Sequence, residues 1–197
     1  MNFRILLAVT IVPLFLLASC KQDAAGSKAQ SEQTVSGQPA PETTSESNTF
    51  NRYFEDEDAL VTFFVQAENA EVTKPRILTK GLENEFDQTF TIEGQLTDGH
   101  LLDLDGDGFN ELYLVYRLTD DSGNLDMIAI RSNSYLDASV VGVQKIKERR
   151  KVNTDRIYAI NGKLRRSFTD QDGNTVNYTY QLVRGSQGGW YLLPVKG

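Results

Sequence analysis

The residues with definite chemistry lie together in Asp103-Leu104-Asp105-Gly106-Asp107-Gly108-Phe109-Asn110-Glu111, which sets carboxylates at alternate positions of a tight loop. Odd spacing turns these side chains toward one centre, and Gly106 and Gly108 permit the sharp turn this requires. Ca²⁺ takes roughly six to eight oxygens at about 2.3–2.6 Å, so Asp103, Asp105, Asp107 and Glu111, with the Phe109 carbonyl and water, would complete a shell. Converging carboxylates repel one another, which gives the loop a reason to bind a cation. The competing reading is a solvated Asp-Gly turn without metal. An EF-hand is excluded, because Leu114 stands where its bidentate Glu belongs. The expected role of calcium is to rigidify a hairpin.

The elements that must hold this loop read as strands. Phe90 to Ile92, Glu111 to Tyr116, Met127 to Ile130, Arg156 to Ile160, Thr175 to Val183 and Trp190 to Val195 are short runs rich in β-branched and aromatic residues. Leu60 to Val65 fits either a short helix or a strand. Asn161-Gly162, Asp172-Gly173 and Gly185 to Gly189 are turn signals, the first a two-residue hairpin between Arg156–Ile160 and a strand over Lys163 to Phe168. Strands follow strands without helices between them, so the predicted fold is mainly β: an antiparallel sandwich or open barrel, one domain over 51–197.

Composition narrows the function. With 20 basic and 27 acidic residues and a net charge of -7, the chain lacks the basic balance of a general nucleic-acid binder. One Cys and one His exclude a disulfide framework, a Cys/His zinc cluster and a CxxC centre. No GxSxG, HExxH or GxxxxGK[ST] occurs, and a non-enzymatic protein is expected. His100, in Thr97-Asp98-Gly99-His100, reads as a surface-turn histidine. The basic cluster Lys145, Lys147, Arg149, Arg150 and Lys151 reads as a solvated face, the alternative being contact with anionic headgroups or an acidic partner. Trp190 and Tyr191 are adjacent in a strand and face opposite ways, one to the core and one to the sheet surface.

The first residues carry targeting information. Arg4 precedes an apolar run from Ile5 to Leu17, too short to span a bilayer and suited to a secretory signal over 1–19. Its removal takes one basic and no acidic residue, leaving 19 basic against 27 acidic and a net charge of -8. Leu17-Ala18-Ser19-Cys20 resembles the bacterial lipobox. That resemblance implies lipidation (palmitate among the acyl chains) on Cys20, the sole Cys, and hence a membrane anchor; an ordinary cleavage site with a bare Cys is the alternative. Lys21 after the Cys implies outer-membrane sorting, facing the periplasm, in a Gram-negative envelope. From 21 to 50 the chain is mostly Gln, Ser, Ala, Thr, Glu, Gly and Pro, and reads as a disordered linker.

The acidic loop resembles the short calcium loops that join strands in integrin-type β-repeats. From about Ile92 to Val195 the order of features is similar to periplasmic inhibitors of invertebrate-type lysozyme and their lipoprotein relatives: Asp103 to Leu112, then Gly162, Leu164, Arg166 and Phe168, then Tyr180, Leu182, Gly189, Trp190 and Leu192. The resemblance implies a partner-binding loop at Ser122, Gly123, Asn124 and Leu125, whose Ser and Tyr in the family enter the lysozyme cleft. Leu125 stands where the family has Tyr, which removes a hydroxyl. The expected function is protein binding by a lipid-anchored envelope protein with structural calcium, with lysozyme inhibition as its specific form. The alternatives are a calcium-stabilised interaction module of an envelope assembly without lysozyme contact and, third, a carboxylate hydrolase.

Overall fold

The computed structural model describes residues 48–56 and 60–197, which form twelve strands in two sheets and no helix. The signal segment, Cys20 and most of the linker lie outside the described residues. Strand β1 (Thr49–Asp56) pairs with β2 (Val61–Glu68), β2 with β3 (Arg76–Lys80) and β3 with β4 (Asp87–Thr89), all antiparallel. The first described strand starts at Thr49, two residues before the expected Asn51, and Phe50, read as linker, is buried in the core. The second sheet contains β5 (Gly94–Leu102), β6 (Glu111–Leu118), β7 (Leu125–Asn133), β8 (Asp137–Val143), β9 (Arg156–Ile160), β10 (Lys163–Thr169), β11 (Thr175–Arg184) and β12 (Trp190–Lys196). Its order is β5-β6-β7-β8-β12-β11-β10-β9, antiparallel except for a short parallel pairing of β12 with β8. It curls into a nearly closed barrel, and the edge strands β5 and β9 border a cleft of about 710 Å³.

Several local expectations change. The ambiguous Leu60 to Val65 run is strand β2, because Val61, Phe63, Val65 and Ala67 alternate onto one buried face. Phe90 to Ile92 is not a strand: β4 stops at Thr89, and Ile92 makes only an isolated bridge to Thr73. The Asp98-Gly99 turn is also overruled. Strand β5 runs through it with a bulge between Leu96 and Asp98, and His100 is a half-buried strand residue opposite Tyr113. Glycine lets Phe54 pack closely there, since a Cβ on Gly99 would lie 2.4 Å from the tip of the Phe54 ring and would force that side chain to shift.

Two apolar cores flank β6. Leu112 and Leu114 join Phe63, Val65, Ile77, Ile128 and Ile130 between the two sheets, while Tyr113 and Val115 join Met127, Leu164, Tyr180, Leu182 and Leu192 inside the curled sheet. Burial on both faces explains why Glu111 to Val115 reads as a nearly continuous apolar run. The Asn161-Gly162 hairpin forms as its chemistry demands, with φ of 50° and 68° and Ile160 opposite Lys163.

Candidate metal centre

The acidic loop connects β5 to β6, and its carboxylates first organise its own backbone. Asp103 Oδ1 accepts from the Gly106 and Asp107 amides at 2.7 and 3.2 Å, and its Oδ2 accepts from Gly108 at 3.0 Å. Asp107 Oδ1 accepts from the Phe109 amide at 3.0 Å, while the Phe109 ring packs edge-on against Tyr135. Gly106 and Gly108 have φ of 77° and 88°. The loop is also tied to the other sheet, because the Asn110 amide donates to buried Asp56 of β1 at 2.9 Å. Asp103, Asp105, Asp107 and Glu111 each place one oxygen within 4.8 Å of the others, an arrangement that could hold a metal ion.

Glu111 is the fourth carboxylate, and it is fully buried at the head of β6. Its Oε2 accepts from the Leu104 amide at 2.9 Å and from the Tyr113 hydroxyl at 3.0 Å, yet its buried Oε1 has no partner. Desolvation, reinforced by Asp105 and Asp103 and opposed by the Leu104 amide, pushes its pKa to about 8. Desolvation and the neighbouring acids also raise Asp107, against its Phe109 hydrogen bond and Arg131. An orphaned buried carboxylate oxygen beside three acidic neighbours matches a hard cation that takes only oxygen ligands. The four side chains therefore fit such an ion.

Sequence reasoning missed Arg131, the one basic side chain among the described residues that is ion-paired with these carboxylates. From β7 its Nε donates to Asp105 Oδ2 at 2.8 Å, and its Nη2 donates to Asp107 Oδ2. Its Cζ lies 4.3 Å from the centroid of the Trp190 ring, a cation–π geometry. The repulsion inferred from sequence is thus partly relieved within the chain, but one guanidinium paired with Asp105 and Asp107 cannot balance all four acids once Glu111 ionises. A signal existed: Arg131 continues the inward face of Leu125, Met127 and Ala129, and a cation on such a face needs acidic partners.

The expected partner-binding loop is reshaped. Leu125 is the first residue of β7, buried in the inner core, and cannot enter a partner's cleft. Its amide donates to Asp155 Oδ2 at 2.9 Å, and its carbonyl accepts from Arg166. Ser122 donates its hydroxyl to Asp120 and accepts from the Asn124 amide at 3.1 Å. Gly123 is buried, with φ of 61° in a conformation that packs against Asn153, and its carbonyl accepts from Arg117 at 2.6 Å. Only Thr119, Asp120 and Asp121 are exposed in this connection.

Beneath it lies a second buried network that the sequence did not reveal. Arg166 Nε donates to Asp155 Oδ1 at 2.8 Å and its Nη1 to the Tyr180 hydroxyl at 3.3 Å, while Arg150 reaches Asp155 Oδ2 at 3.4 Å. Arg150 therefore leaves the expected solvated cluster and stacks over Phe168. Tyr191 is exposed and Trp190 packs inward, as their alternation predicts.

No known protein family, curated protein or solved structure matches the chain. Its functional reading rests on the residues themselves.

Proposed function

We propose that the chain is an envelope protein, anchored through lipid on Cys20, that works by binding a protein partner and uses calcium at Asp103, Asp105, Asp107 and Glu111 as a structural ion. The observation that carries this reading is the fully buried Glu111 carboxylate, whose Oε1 lacks a partner in a cluster of four acids of which Asp105 and Asp107 are ion-paired with Arg131. Calcium suits a hard all-oxygen donor set with two flexible glycines better than Mg²⁺, which demands a near-octahedral shell and keeps its water. The role assigned to it is to pin the β5–β6 connection, whose Asn110 amide is bonded to Asp56 of the neighbouring sheet. Anchoring, and a place on the periplasmic side of the outer membrane, are supported by the residues from Met1 to Lys21.

Of the two forms of binding, the geometry favours an interaction module of an envelope assembly over lysozyme inhibition. Leu125 is buried and the Ser122 hydroxyl is already engaged by Asp120 and Asn124. Palmitate labelling of the chain and of Cys20→Ser tests the anchor: the parent should incorporate label and the variant should not, and equal labelling would contradict it. A panel of lysozymes assayed on cell walls tests the form. Undiminished hydrolysis at micromolar protein is expected; inhibition that Ser122→Ala abolishes would restore the inhibitor reading.

A further inference from the structure

The charge of this acidic chain is split sharply along its length. Residues 48–144 carry 6 basic and 19 acidic side chains, a net of -13, whereas residues 145–197 carry 11 basic and 4 acidic, a net of +7. Strands β9 to β12 contain no acidic residue, and the acids next to them in the chain are Asp155 before β9 and Asp170 and Asp172 in the β10–β11 turn. On the β9–β10 hairpin the burial alternation turns Leu164 and Arg166 inward and leaves Lys163 and Arg165 exposed, with Arg156 opposite Ser167 on the same outer face. Lys151, whose amide donates to Thr169, extends the row. From Lys163 to Thr169 the row is roughly 20 Å long, at about 3.3 Å per residue. None of these four cations makes an ion pair among the described residues. Exposed apolar side chains stand at both ends: Val152 beside Lys151 and Ile160 opposite Lys163.

We propose that this stripe docks the domain on an anionic lipid surface. Charge complementarity supplies the attraction, since juxtamembrane cations are drawn to acidic headgroups. Exposed aliphatic residues beside the cations suit the headgroup boundary, and Arg156 stands where the stripe meets the cleft that Asp98 also lines. The inference does not depend on lipid at Cys20 or on a metal, and its test leaves both out.

All twelve strands of the described residues lie within 49–196, and a chain starting at residue 21 keeps every one of them. That chain should sediment with phosphatidylglycerol-containing vesicles and not with phosphatidylcholine alone, and salt should release it. Neutralising Lys151, Arg156, Lys163 and Arg165 to Gln should weaken partitioning about five-fold per cation, several hundredfold for all four, with the melting midpoint confirming that the variant folds. Equal binding to both vesicle types, or none to the anionic ones, would overturn the proposal even if the variant did not fold. So would retention on poly-glutamate with no vesicle binding, which would point to an acidic polypeptide.

Discussion

Two buried ionic networks among the described residues, at Asp155 and at the acidic loop, are built in opposite proportion. At Asp155 one carboxylate accepts from Arg166 and contacts Arg150, and Tyr180 and the Leu125 backbone complete the arrangement. At the acidic loop four carboxylates meet one guanidinium, and the most deeply buried of the four keeps an unpartnered oxygen. The first network holds its own counter-charges, and it joins β7, β10, β11 and the start of β9 as a fixed brace. The second has a surplus of negative charge, so its stability depends on what the solution supplies. Burial alone does not distinguish a brace from a site; the balance of charge does.

Breaking the brace should have the largest effect. Asp155→Ala leaves Arg166 buried beside Arg150 without a carboxylate, and should destabilise the fold by about 3–5 kcal/mol, read as a lower urea midpoint, with or without calcium. An effect that calcium reversed would show that the two networks are not independent.

The acidic loop should also respond to pH. Because burial raises Glu111 to about 8, the metal-free native state binds a proton that the unfolded chain releases at its ordinary, lower pKa. Stability in chelator should therefore be highest below the unfolded value and fall by a few kcal/mol as pH rises from about 4.5 to about 8. Glu111→Gln should flatten that slope. A slope of the same size in the variant would assign it to another group.

Arg131 offers a smaller and sharper comparison. Arg131→Met removes the internal counter-charge, and should lower stability by about 1–2 kcal/mol in chelator and by much less in saturating calcium. It should also change Trp190 fluorescence, because the guanidinium lies over that ring. A loss of equal size in both conditions would mean that Arg131 acts through packing alone.

What could be read from the sequence was local. The carboxylates of the loop are close neighbours in the chain, and the type I′ turn at Asn161-Gly162 is written in two residues; both formed as expected. The β class followed from the β-branched and aromatic runs. Arg131 reaches Asp107 across 24 positions of sequence, Asp155 reaches Leu125 across 30 and Asp56 reaches Asn110 across 54, through strand register and sheet packing that no local pattern encodes. Strand β5 was hidden because Asp98-Gly99 has turn chemistry, which the bulge and the packing of Phe54 override. Leu125 looked like loop because its neighbours are Gly and Asn, yet Asp155 and Arg166 hold its backbone at the start of β7.

The central claim is that the surplus charge of the acidic loop is completed by calcium. A calorimetric calcium titration of the chelator-treated chain, alongside Asp105→Ala and Glu111→Gln, tests it directly. One ion should bind per chain, each substitution should weaken or abolish binding, and calcium at a hundred times its Kd should stabilise the parent by about 2.7 kcal/mol. No binding heat together with an unshifted melting midpoint, or binding unchanged in both variants, would contradict it.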